Sequence, residues 1–204
     1  MDVDATLIEE EVIDLLGEEA GCVDDISQIT AKAMRGEITF DTSLRLRVSM
    51  LRGLNICECK NHIFERIHVT NGAQKLIDTL HEYGWKVGAV SGGFHEILDE
   101  LLPTLNIDFW VAHHLESRDC ILTGNVLGNI VNPDAKVRAL QTWANNLEID
   151  TAQTVAVGDG ANDISMIKKA GLGIAFCAKL TVEESAKYRI KNRDLSAVLQ
   201  FLSR

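Results

Sequence analysis

From residue 9 to about 68, apolar side chains recur at helical intervals: Val12, Leu15 and Leu16; Ile26, Ile29 and Ala33; Phe40, Leu44, Val48 and Leu51; Ile63 and Ile67. Such spacing lines up one stripe per helix, and each stripe must be buried against a neighbour. Gly21, Gly36 and Gly53 interrupt the pattern, so the stretch predicts a small bundle of three or four helices. From about residue 70 the period alternates. GAQKLIDTLHEYG reads as an amphipathic helix ending at Gly84, and WKVGAVSGG as a short apolar strand running into a glycine turn. FHEILDELLP is a helix stopped near Pro103, and DFWVAHHLES and CILTGNVLG are strands, the second turning at TGN. Asn132 as cap and Pro133 at the first helical position open DAKVRALQTWANNL. TVAVGDGAND repeats the strand-into-glycine theme, followed by helix ISMIKKAG and strand GIAFCA.

Strands alternating with helices predict an α/β fold: a Rossmann-like, mostly parallel sheet with helices on both faces. The domain division that follows is a core of residues 1–8 and 69–204 with a helical insertion at 9–68. A chain of 204 residues, 46% hydrophobic and 25% charged, suits one such domain with a core of ordinary size.

Charge narrows the partners. The formal net charge is −10, and the lysines and arginines are scattered among acids rather than gathered in a stripe. Nucleic acid and anionic membrane surfaces are therefore not expected partners; a small molecule is. No window has the apolar length of a membrane span, and no basic segment precedes an apolar stretch at the start, which points to the cytoplasm. The five cysteines, Cys22, Cys57, Cys59, Cys120 and Cys177, are accordingly expected as reduced thiols. Cys57 and Cys59 alone, without a second pair at ligand spacing, make a poor zinc site.

In open parallel sheets ligands bind beyond the carboxyl ends of the strands. The residues at those ends are Asp2 and Asp4; Ser91, Gly92 and Gly93; Lys136 near a helix start; and Asp159, Asn162 and Asp163. Singly each has a plain reading, as a solvated acidic end, a glycine turn or an exposed lysine. Together the acids would repel one another unless a cation lay between them, and hard oxygen ligands select magnesium over zinc. Lys136, the Ser91 hydroxyl and the glycine-turn amides then suit a phosphate. The set points to phosphoryl chemistry.

These residues also carry a family resemblance. DVDAT resembles the first motif, D-x-D-x-T, of the haloacid dehalogenase superfamily of phosphatases, AVSGG its second, Lys136 its third and GDGANDISM its fourth. The longer blocks AMRGEITFDTSLRLRV, VSGGFH, VGDGANDISMIKKAGLGIAFCAK and the late RDL at 193–195 are similar to those of phosphoserine phosphatases. The resemblance implies that Asp2 is the nucleophile, forming an aspartyl-phosphate. Asp4 is then the general acid and base, protonated at the outset while Asp2 is ionised. It places Ser91, the Gly92 amide and Lys136 on the phosphoryl oxygens. Mg2+ is expected on Asp2, Asp159 and the main-chain carbonyl of Asp4, with Asn162 and Asp163 ordering the lysine, the metal's waters and the phosphate. The helical insertion becomes a mobile cap, with Glu11 for the substrate's ammonium, Arg47 for its carboxylate, and Met34 and Phe40 as apolar lining. The implied reaction is hydrolysis of O-phospho-L-serine to serine and phosphate, the last step of serine biosynthesis. The alternatives are an enzyme for another small phosphoester such as phosphohomoserine, or an inactive truncated homologue.

Two features depart from the family pattern. Ala5 stands where serine is common, and a small residue should serve. In the family an apolar strand through the middle of the sheet leads into the first aspartate, whereas here only Met1 precedes Asp2. That central strand is expected to be missing, leaving two strand edges open, with the natural protein starting upstream and room there for further domains. His113 and His114 adjoin a strand and face opposite ways, so both read as structural, as do the three scattered tryptophans.

Overall fold

The computed structural model describes residues 1–202. Four helices form the first stretch: α1 (Val12–Glu19), α2 (Val23–Met34), α3 (Phe40–Met50) and α4 (Ile56–Arg66). The periodic residues Val12, Leu15, Leu16, Ile26, Leu44, Val48, Leu51 and Ile63 are all buried, each contributing about 1.5–3 kcal/mol. They join Leu7, Ile8 and the sheet's apolar side chains in one core. The helical stretch leaves and re-enters the rest of the molecule at a single place, where Glu9 N–H donates to the His68 carbonyl and Thr70 N–H to that of Leu7, each at 2.9 Å.

Beyond it come α5 (Ala73–Glu82), β1 (Gly88–Phe94), α6 (His95–Thr104), β2 (Phe109–Arg118), β3 (Ile121–Leu127), α7 (Pro133–Asn146), β4 (Val155–Gly158), α8 (Ile164–Lys169), β5 (Leu172–Phe176), α9 (Leu180–Glu183) and β6 (Tyr188–Ile190). Asn132 caps α7 as its sequence predicts, its side chain accepting from Ala135 N–H at 3.0 Å. Residues from β1, α7, β4, α8 and β5 pack a second apolar layer of Val90, Ala139, Ala156, Met166, Ile167 and Ala175. The strands thus carry apolar layers on both faces.

Instead of one sheet there are two, ordered β1-β2-β3 and β4-β5-β6, parallel except for the antiparallel β2–β3 pair. The chain start joins them: Val90 N–H donates to the Met1 carbonyl, and Asp2 N–H to that of Val157, both at 2.9 Å. Below these two residues lies a cavity of about 780 Å³ lined by Met1, Val87, Gly88, Trp143, Val155 and Leu172. The edges of β1 and β4 face each other across it, with strand pairing supplied only at the level of Met1 and Asp2.

Two local expectations are corrected. The β2–β3 turn falls at Asp119 and Cys120, not at TGN. Both residues take positive φ, 50° and 68°, which gives the twist a two-residue hairpin needs. Gly124 instead lies inside β3, where α3 comes so close that a Cβ would sit 3.2 Å from the Ser49 carbonyl oxygen. Cys57 and Cys120 are not thiols but a disulfide with Cα atoms 5.6 Å apart, leaving Cys22, Cys59 and Cys177 free. The cause is tertiary: Ile56 N–H donates to the Cys120 carbonyl, and Asn55 bridges to Ile121, so the first turn of α4 lies on the hairpin tip.

Candidate active site

The N-terminal segment, the irregular end of β1 at Ser91–Gly93, the start of α7 and the loop after β4 converge where the two sheets meet; the glycines expected as a turn lie within the strand, where its register shifts. Asp2 is held by its own backbone on β4, and its Oδ1 accepts from Val3 N–H at 2.8 Å. Lys136, wholly buried one turn into α7, reaches back to place Nζ 2.7 Å from both Asp2 Oδ1 and Asp163 Oδ1. Burial alone would lower the ammonium's pKa, but Asp163 and Asp2 outweigh it and hold the lysine charged, above its ordinary value. Asp163 is fixed in turn by Gly160 N–H donating to Oδ2 at 3.0 Å. Gly158 leaves room for it, since a Cβ there would lie 2.5 Å from Asp163 Cγ.

Asp4 faces the other way across the site. Its Oδ1 accepts from Val12 N–H at 2.8 Å, which ties it to the start of α1, and its Oδ2 accepts from the Ser91 hydroxyl at 2.7 Å. Gly93 N–H donates to Ser91 Oγ at 2.8 Å. The two aspartates of D-x-D therefore differ in company, one against a lysine and the other against a hydroxyl and an amide.

Carboxylate oxygens of Asp2, Asp159 and Asp163 lie within 4.8 Å of one another. Burial, then the Asp163 charge, pushes the Asp2 carboxyl well above the usual range, and the same causes bring Asp159 to about 6. A buried, oxygen-only group with more negative charge than one lysine can neutralise fits a hard divalent cation such as Mg2+.

Above the site stands the helical insertion. The Glu11 side chain is exposed to solvent by area, yet protein packs densely round its carboxyl, which is pushed up to about 8 by burial and then by Asp4 and Asp159. The Arg47 guanidinium is lowered by burial, with Glu11, Asp14 and Asp4 opposing, and its buried Nε has no partner among the described residues. Phe40 approaches the end of β1, its Cζ lying 4.0 Å from where a Gly92 Cβ would be. Met34 does not join this group. It is 66% exposed at the end of α2, with its sulfur 3.4 Å from the Lys179 ammonium, a place at the rim rather than in the lining. Asn162 sits in the turn after β4, close enough that a Cβ on Gly160 would lie 2.3 Å from its Oδ1.

Three further residues take part in this geometry. Thr6 donates to Asp159 Oδ1 at 3.3 Å, and Arg193 donates to the carbonyl of Ala5, which sits at φ 54°. Both lie within quoted motifs, which was the available signal. His113 is fully buried and contacts the end of β1, with its Nδ1 3.1 Å from the Gly92 carbonyl oxygen. His114 is exposed, so the opposed faces expected of the pair are observed.

A strand-end site of paired aspartates, one lysine and an acidic cluster defines a class, and the comparisons agree with it. The family model of haloacid dehalogenase-like hydrolases matches residues 1–168, and the chain belongs to that family. It is 52% identical over 204 residues to the phosphoserine phosphatase of Lactococcus lactis subsp. lactis, covering 100% of this chain and 94% of the relative. Among solved structures, a substrate-bound phosphoserine phosphatase complex superposes with TM-score 0.93 at 42% identity, and a phospho-aspartyl intermediate analogue of phosphoserine phosphatase with TM-score 0.92 at 42% identity. Each covers 99% of this chain and 96% of the other.

Proposed function

We propose that the chain is a phosphoserine phosphatase, hydrolysing O-phospho-L-serine to serine and phosphate through an aspartyl-phosphate. The observation that carries this reading is the unequal setting of two aspartates two residues apart. Asp2 Oδ1 lies against Lys136, where a phosphoryl group has a cation beside it, and Asp4 lies against Ser91. Asp2 attacks phosphorus and displaces the serine oxygen, and Asp4 gives that oxygen a proton. Asp4 then takes a proton from the water that cleaves the acyl phosphate. Ser91, the Gly92 amide and Lys136 hold the phosphoryl oxygens, with Asn162 at the side of the site and Asp163 fixing the lysine.

Asp2, Asp159 and the Asp4 main-chain carbonyl would hold Mg2+, with Asp163 behind them, and the ion would supply charge neutralisation for the phosphoryl group. The 9–68 insertion covers the site as a cap. In it Glu11 and Arg47 select the substrate's ammonium and carboxylate, and the buried, unpartnered Arg47 Nε supports a ligand there. Phe40 lines the approach, and Met34 borders it. Among the described residues no helix is long and apolar enough to cross a membrane, and we place the reaction in the cytoplasm.

The test is phosphate release from O-phospho-L-serine, phosphohomoserine and phosphoethanolamine with Mg2+ and with a chelator. We expect the highest kcat/KM on phosphoserine, loss of turnover with chelator, and an inactive Asp2→Asn. Equal rates on phosphoethanolamine would refute the role of Arg47, and a higher kcat/KM on phosphohomoserine would reassign the substrate. A fully active Asp2→Asn would refute the mechanism.

A further inference from the structure

We infer that His113 is a positioning residue: through one peptide it sets the direction of the hydrogen bonds that place Ser91 on Asp4, and it ties the phosphate-binding glycines of β1 to the loop that leads into the helix carrying Lys136. The inference rests on the phosphatase reading of the site.

The imidazole lies on β2, fully buried, and contacts the glycines of β1 on one side and the loop before α7 on the other. Val131 N–H donates to Nε2 at 2.8 Å. A backbone amide can only donate, so Nε2 is the bare nitrogen and Nδ1 carries the proton. That proton is shared between the carbonyls of Gly92 at 3.1 Å and Gly93 at 3.2 Å. Burial drops the imidazole's pKa to about 4, so this neutral tautomer is the form present at neutral pH.

The 92–93 peptide is trans, so its N–H points away from its C=O. With the Gly92 carbonyl turned to His113, the Gly93 N–H must point to the other side, where it donates to Ser91 Oγ at 2.8 Å. With that lone pair engaged, the Ser91 hydroxyl proton goes to Asp4 Oδ2 at 2.7 Å. One direction thus runs from Val131 through His113, the peptide and Ser91 to Asp4. Two consecutive glycines would otherwise let this peptide flip at little cost, because neither has a Cβ to restrict it. Val131 immediately precedes Asn132, the cap of the helix that carries Lys136, so one ring registers both phosphate-facing elements.

His113→Leu keeps the bulk and removes the donor, whereas His113→Asn keeps a donor near the Nδ1 position. For the leucine variant we expect about a 100-fold loss in kcat/KM, a weaker competitive Ki for inorganic phosphate, and an unchanged preference for phosphoserine over phosphoethanolamine, since Arg47 is untouched. The asparagine variant, which restores the donor to the Gly92 carbonyl but not the acceptor for Val131 N–H, should recover part of both losses. A merely structural role would lower the melting temperature and the active fraction while leaving KM and the phosphate Ki alone, and that result would overturn the inference. Two NMR readouts do not depend on turnover. In the wild type the ring should show a protonated Nδ1 and bare Nε2, and the Gly93 amide should shift in His113→Leu but not in His113→Asn. A protonated Nε2, or a Gly93 amide indifferent to leucine, refutes the positioning even if phosphoserine is hydrolysed. Should the leucine variant not fold, the tautomer and the asparagine variant still decide. Wild-type protein that turns over no phosphoester would refute the phosphatase reading alone.

Discussion

Lys136→Met is the perturbation whose size the structure fixes best. The lysine is wholly buried and bridges Asp2 and Asp163, themselves buried, at 2.7 Å each. Methionine fills similar space, so the main loss is electrostatic. Removing one member of a buried charged group typically costs about 3–5 kcal/mol, because the remaining charge is left uncompensated. A chain of this size has total stability of about 5–15 kcal/mol, so the variant should fold, and at about 2–4 °C per kcal/mol its melting temperature should fall by about 6–20 °C.

The penalty has a definite pH sense. The folded-state pKa of Asp2 is already raised by burial, so between the ordinary carboxyl pKa and this raised value the native state binds more protons than the unfolded one, and stability falls as pH rises. Without Lys136 that slope steepens, and the deficit should shrink toward pH 4, where protonation relieves the charge. Millimolar Mg2+ should restore more stability to the variant than to the wild type by neutralising the same cluster. Thermal melts at pH 5 and pH 8, with and without Mg2+, provide the measurement. A variant as stable as the wild type at pH 8 in chelator would refute the reasoning.

Other outcomes follow from the same geometry. The Glu11 carboxyl sits near 8 in the free site, while an ammonium beside it favours the charged form. Phosphoserine binding should therefore release a proton, and KM should fall as pH rises from 6 to 8, but not for a phosphoester lacking the ammonium; a KM independent of pH for both would count against Glu11. Under denaturing, non-reducing conditions three thiols should titrate rather than five. Because the Cys57–Cys120 bridge spans 63 residues, reduction should cost about 4 kcal/mol in the chain-entropy account, read by denaturant midpoints with and without reductant; five titrating thiols would remove the bridge. Gly158→Ala would drive a methyl into Asp163, and displacing that partner of Lys136 should lower kcat about 100-fold with a modest loss of stability; near-normal kcat would show that the lysine holds its place without Asp163.

The helices of the insertion were legible because their evidence is local: a stripe every three or four residues, ended by glycine. Helix α7 was legible from Asn132 and Pro133 alone. The chemical set was legible too, because Asp2, Asp4, Ser91, Lys136 and Asp159 all sit at strand ends or a helix start, where sheet topology must gather them. The hairpin was misread because TGN is a common turn signature, whereas the positive φ values fall on Asp119 and Cys120, which carry no such mark. Met34 belongs with the lining by resemblance alone, whereas at the last turn of α2 its side chain is mostly exposed.

By itself, then, the sequence determined the alternation of helix and strand and the kinds of atom that meet beyond the strand ends, since periodicity and capping act over one or two turns of chain. Only the tertiary structure decided that the strands form two sheets joined at Met1 and Asp2. It also decided that Cys57 meets Cys120 across 63 residues, and that His113, a histidine with no motif of its own, reaches the Gly92 carbonyl from the neighbouring strand. These depend on which distant segments pack side by side, and no local pattern encodes the partner of a buried donor until the backbone around it is in place.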